Sequence, residues 1–157
     1  MGSAQLNNPA GAFGAPVLTG FDNSNVASAV PMRQAVTTIN AGDLVAYSSS
    51  EGYVIRALTD TAANLLAGVA LESSTSTVGN PIMVGTGGWV KANKGTAAIT
   101  AGNFVTVSTT TTGAVKAVTS GFAITTAGDL AGLIGVCMVN ATAGDSTVNV
   151  WLGGVIG

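Results

Sequence analysis

From residue 39 onward the sequence says the same thing twice. Ile39-Asn40-Ala41-Gly42-Asp43-Leu44-Val45 returns as Ile99-Thr100-Ala101-Gly102-Asn103-Phe104-Val105, and three further matches follow in the same order. Gly52-Tyr53-Val54 returns as Gly113-Ala114-Val115, and Ala67-Gly68-Val69-Ala70-Leu71 as Ile134-Gly135-Val136-Cys137-Met138. The last match sets Val84-Gly85-Thr86-Gly87-Gly88-Trp89 against Val150-Trp151-Leu152-Gly153-Gly154-Val155. Two copies of one pattern fold in the same way, and each leaves an apolar face for its twin to cover. Two are too few for an open solenoid, which needs three or more. The expectation is therefore one compact body with similar halves, about 38–90 and 98–156.

Within each copy the grammar is that of strands and turns. Runs of Val, Ile, Leu, Thr and Tyr, short enough for single strands, alternate with Gly, Asp, Asn and Ser, which supply turn conformations. Strands are expected over Ala35–Ile39, Leu44–Tyr47, Tyr53–Ala57, Leu66–Glu72, Ile82–Thr86, Trp89–Lys91, Phe104–Val107, Ala114–Val118, Leu133–Val139 and Thr147–Leu152. Only Asp60–Leu65 has room for a turn or two of helix. The fold class is all-β: a compact β-barrel or sandwich-like domain over residues 33–157, with each half opened by an Ala-Gly-Asp or Ala-Gly-Asn turn. Residues 1–32 carry Pro9, Pro16 and Pro31 and show no periodicity, so they read as an extended N-terminal arm. Such a stretch cannot offset its own ordering entropy, but Phe13, Val17, Leu18 and Phe21 suit it to docking on a partner surface.

Composition then removes whole classes of function. Charged residues are 8% of the chain and there is no His, so most side chains that move protons or ligate metals are missing. An enzyme is not expected, and neither is a cofactor or a metal. The acids Asp43, Asp129 and Asp145 each follow Ala-Gly and stand alone, whereas a calcium loop clusters its carboxylates within about a dozen residues. They read as turn residues. Gly85-Thr86-Gly87-Gly88 lacks the Lys and helix of a phosphate loop. Net charge is −2 with scattered bases, which argues against a nucleic-acid surface. No apolar run approaches the roughly 20 residues of a membrane span, and the N-terminus lacks the pattern of a secretory signal. Cys137 sits in an apolar run without a second cysteine, so it reads as a buried core residue.

One exposed aromatic is expected. In Val148-Asn149-Val150-Trp151-Leu152, alternation sets Trp151 with Asn149 on the face opposite the aliphatics. An exposed Trp points to a contact between subunits, or to packing beneath a loop or the arm, before it points to a ligand.

The sentence Ala-Gly-Asp-Leu-Val (41–45), Gly-Tyr-Val-Ile-Arg-Ala (52–57), Leu-Ala-Gly-Val-Ala-Leu (66–71), Pro-Ile-Met-Val (81–84) and Gly-Trp-Val-Lys-Ala (88–92), with its second copy, resembles the small capsid decoration, or cement, proteins of tailed bacteriophages. The likeness covers about residues 33–156. It implies a β-rich protein made in the host cytoplasm that binds the major capsid protein on the outer surface of the virion. There it stabilises the shell, commonly as a homotrimer, with no part for nucleic acid or membrane. Phe13, Val17, Leu18, Phe21 and Trp151 are the partner-binding candidates. The rival reading is a carbohydrate-binding or adhesive β module.

Overall fold

The structure, a computed structural model, describes residues 26–35, 38–48, 53–59, 66–74, 78–118 and 133–153. Among them there is no helix, and nine strands form one continuous sheet. They are β1 (Val26–Gln34), β2 (Leu44–Tyr47), β3 (Tyr53–Arg56), β4 (Leu66–Ala70), β5 (Pro81–Asn93), β6 (Phe104–Val107), β7 (Val115–Ala117), β8 (Gly135–Cys137) and β9 (Thr147–Leu152). The fold is all-β, as expected, and it is a barrel.

The first five strands close on themselves in the order β1-β3-β2-β4-β5, because β1 pairs in parallel with β3 and antiparallel with β5. Closure gives every strand of this ring a neighbour on each side, β1 meeting β3 through Arg33 and Gln34. The remaining strands extend the sheet from β5 in the order β9-β8-β6-β7. A single parallel bridge, Lys94 with Val115, then returns β7 to the end of β5, aided by Gly95 N–H donating to Val115 O at 3.0 Å.

β5 therefore belongs to two rings. Its first half pairs Val84 with Val30 and Arg33 with Pro81, and its second half pairs Val90 with Val150 and Asn93 with Thr147. The second half of β5 thus stands to β9 as β1 stands to the first half of β5. The sequence matches carry into hydrogen bonds: Gly42 N–H donates to Ala70 O and Gly102 N–H to Cys137 O, each at 2.8 Å. The bridges Ile39 with Ser74 and Ile99 with Ala141 repeat likewise.

Three expectations change. The arm does not extend to Met32, since β1 starts at Val26. Its Ser28, Ala29, Val30 and Pro31 are exposed and pair with β5 alone, β3 joining only at Arg33 and Gln34, so this stretch is held by backbone pairing and leaves no alternation to read. Of the strand foreseen over Ala35–Ile39, Ala35 lies just beyond the end of β1 and Ile39 makes an isolated bridge to Ser74, while residues 36–37 lie outside the described residues. Ile82–Thr86 and Trp89–Lys91 are one strand rather than two, because the intervening Gly87 and Gly88 stay in the ladder, opposite Ser28 and Leu152. Asp60–Leu65 and residues 1–25 lie outside the described residues.

Alternation fills two apolar clusters. Val45, Val54, Ala67, Ala70, Ile82 and Val84 pack inside the first ring. Leu44, Ala46, Leu66, Val69 and Leu71, from the opposite face of the same strands, join Val90, Val105, Val115, Ile134, Cys137 and Val150 in a cluster spanning both halves. Each such aliphatic contributes on the order of 1.5–3 kcal/mol by leaving water. This shared cluster makes one body of the two rings.

A polar clamp sits at the same junction. Asp43, 2% exposed, accepts from Asn40 N–H at 2.8 Å and Asn93 Nδ2 at 3.0 Å, and pairs with Arg56 Nε at 2.8 Å. Arg56 Nη2 donates across to the Thr112 carbonyl at 3.2 Å. Gly113 from the second half lies so close that a Cβ there would stand 2.8 Å from Asp43 Oδ1. The isolated acid of the sequence is a turn residue, and beyond that it ties the halves together.

Two measurements probe this architecture. A Cβ at Gly68 would strike the Gly85 carbonyl oxygen, and one at the equivalent Gly135 would strike that of Trp151. Gly68→Ala and Gly135→Ala should each cost roughly 2–4 kcal/mol, lowering Tm by about 5–15 °C. Gly87→Ala, whose Cβ meets only Ser28 at 3.5 Å, should be neutral or slightly stabilising; equal losses at all three sites would refute the close approach. In the clamp, Asp43→Ala should cost about 3 kcal/mol by stranding buried donors. Arg56→Met, at a side chain 35% exposed, should cost about 1 kcal/mol. Denaturant titration showing the reverse order would place the weight of the junction elsewhere.

Candidate interaction surface

The strands of the second half alternate cleanly. Val105, Cys137 and Val150 turn inward at 0–1% exposure, which sends Phe104, Val136 and Trp151 outward. Register then aligns them: Phe104 lies opposite Val136, Val136 opposite Trp151, and Trp151 opposite Trp89 of β5. Directly opposed side chains on a sheet touch, so four strands contribute one row of three aromatics and a valine. Phe104 is 52% exposed and Trp151 46%. Met138 and Val139, following β8, are also exposed. The polar Thr106, Asn149 and Lys91 lie two residues along their strands from Phe104, Trp151 and Trp89, giving the row a polar border.

The row can bind a flat apolar surface with little electrostatic contribution. Beside it, a polar depression of about 160 Å³ is lined by residues that include Lys91, Asn140, Asp145 and Asn149. No aromatic lines this depression, so it offers no stacking platform for a sugar. Its Asp145 accepts from Thr142 N–H at 2.7 Å and Thr142 Oγ1 at 2.9 Å, bonds that hold its carboxyl below the usual range. Asn103 accepts from Thr100 N–H as the counterpart of Asp43, which shows that an uncharged oxygen suffices for the turn. Among the described residues no three His, Cys, Asp or Glu side chains assemble to hold a metal.

Of the residues singled out from sequence, Trp151 is where alternation puts it, on the outer face. Phe13, Val17, Leu18 and Phe21 lie outside the described residues. The sequence reading missed the companions Phe104, Val136 and Met138, and it did not set Trp89 beside Trp151. One signal was available: Phe104 repeats Leu44 and Met138 repeats Leu71, so the duplicated pattern marks both as outward positions of equivalent strands.

No protein-family model matches this sequence, and no curated protein matches it. Among solved structures, the fold is similar to one described as the crystal structure of the head fiber gp8.5 N base in bacteriophage phi29. The TM-score is 0.54 with 15% sequence identity, over 80% of this chain and 93% of that one. At that identity the likeness is one of fold.

Cys137 supplies a check on the inner face. At 1% exposure, burial pushes its thiol above the ordinary value. A raised pKa leaves less thiolate at any given pH, so a thiol reagent at pH 8 should label the native protein slowly and the denatured protein at once. Stoichiometric labelling of folded protein within seconds would mean that β8 is turned the other way.

Proposed function

We propose that this chain is a non-catalytic structural protein of a tailed-phage virion, a decoration protein that binds the major capsid protein on the outer capsid surface and stabilises the shell as a homotrimer. The observation that carries this reading is the fold shared with the phi29 head fiber base, which runs over nearly the whole of that chain. The rest of the molecule suits the role. Charge is sparse, the barrel is rigid by closure, and the exposed row is flat and apolar, which matches a partner that is a repetitive protein surface rather than a soluble substrate. Scattered bases disfavour nucleic acid as the partner. No helix among the described residues is long and apolar enough to cross a membrane. The reading places synthesis in the host cytoplasm and the finished protein on the particle.

The test is co-sedimentation of purified protein with mature capsids from the phage that encodes it, followed by cryo-electron microscopy of the decorated particles. Added density at symmetric sites on the outside of the shell is expected. Binding through apolar and backbone contacts should persist at about 1 M NaCl, where the screening length falls to roughly 3 Å. Folded protein that stays in the supernatant, or that releases as salt rises, would overturn the assignment.

A further inference from the structure

We infer that in the free protein the outer row of the second half, Trp89, Trp151, Val136 and Phe104, is the docking site for the chain's own N-terminal segment, which lays Val17, Leu18 and Phe21 across it. The row is the open member of a pair. In the first half the positions equivalent to Phe104, Val136 and Met138 are Leu44, Val69 and Leu71, and these are 0–1% exposed because they lie in the cluster shared with the second half. Phe104 and Met138 are instead 52% and 40% exposed. The same face is thus covered once and open once, and the open one carries the larger apolar side chains.

The point at which that segment joins the body fixes where it can go. β1 begins at Val26, which lies opposite Gly88 of β5, and Gly88 directly precedes Trp89 at one end of the row. Leu152 of β9 lies opposite Gly88 on its other edge, so from β1 the row runs outward over β5, β9, β8 and β6. At about 4.8 Å between strands, Trp151 stands about 10 Å from β1, Val136 about 14 Å and Phe104 about 19 Å. An extended chain advances about 3.3 Å per residue, so Phe21, five residues before Val26, reaches about 16 Å, and Leu18, eight before it, about 26 Å. Phe21 therefore spans to Trp151 and Val136, and Leu18 and Val17 span to Phe104.

The chemistry of the two partners agrees. Residues 1–21 contain no acidic or basic side chain, the first charge being Asp22, and the row is uncharged within its polar border. Both therefore gain by leaving water, and neither has a charge to desolvate. Attachment at Val26 decides whose segment it is. A short tether holds its end at an effective concentration in roughly the millimolar range, well above that of a second copy in dilute solution. The contact gives the row a cover of its own, which any other surface that binds the row must displace. It does not rest on capsid binding and is tested without particles, so its failure and that of the capsid reading are distinguishable.

Both tryptophans of the chain, Trp89 and Trp151, stand in the row, so tryptophan fluorescence reports its cover directly. In the full chain, Val17→Ser, Leu18→Ser and Phe21→Ser made together should move the emission to the red and raise acrylamide quenching roughly twofold, since an indole packed against apolar side chains loses solvent from one of its faces. The difference should be the same in dilute and in concentrated protein, as a contact within one chain requires. Nuclear Overhauser contacts from the Phe21 ring to Trp151 or Val136 in the unaltered protein supply a readout that requires no variant to fold. In a mixture of labelled and unlabelled chains they should arise within single chains. The inference is overturned if the folded variant matches its parent in emission and quenching, if the two differ only as concentration rises, if the contacts run between chains, or if none joins Phe21 to the row.

Discussion

Everything in this fold hangs on the double membership of β5. A strand has two hydrogen-bonding edges, and along its first half β5 gives them to β1 and β4, completing one ring. Along its second half it gives one edge to β9, while its continuation at Lys94 meets β7 to complete the other. The strand runs on through Gly85, Gly87 and Gly88, its register with β1 shifting on either side of Ser28. At Gly85 a side chain would crowd the crossing, since a Cβ would stand 3.0 Å from Leu71 Cδ2. Gly87 and Gly88, which separate the two strands expected over Ile82–Thr86 and Trp89–Lys91, lie inside the one strand that passes from one ring into the next.

What could be read in the sequence, and what could not, follows from where burial writes a pattern. β2, β6 and β9 were legible to the residue, since each is bounded by turn residues and carries β-branched or aromatic side chains. The duplication was legible because the turn glycines Gly42 and Gly102 take positive φ, and Gly68 and Gly135 lie against a carbonyl oxygen where no Cβ fits. β1 was not legible, because its stability comes from pairing with two neighbours, and a backbone hydrogen bond leaves no mark on side-chain choice. The exposed row was half legible. Alternation along β9 exposes Trp151, but only the register of β6, β8 and β5 brings Phe104, Val136 and Trp89 beside it.

The halves diverge where their duties differ. The first half has an Asp at the turn position that faces Arg56 and Asn93, and its counterpart in the second half is Asn103, which has only a local backbone N–H to satisfy. Likewise Leu44 and Leu71, which fill a dry cluster, correspond to Phe104 and Met138, which face solvent. Aromatic and thioether side chains present large, adaptable contact area. The substitutions run in the direction that an interface would select: a charge where the halves lock together, and soft apolar bulk where the surface is open.

The shared strand also sets a length. No linker lies between the rings, so they have neither a hinge nor an independent orientation, and Val84 in the first ring and Val90 in the second are held six residues apart along one extended backbone, about 20 Å. A protein with a flexible joint adapts its reach to whatever it meets. This one acts as a caliper of fixed opening, able to engage with both halves at once only those surfaces whose own repeat agrees with it, and selective by spacing where its sparse charge offers little selectivity of its own.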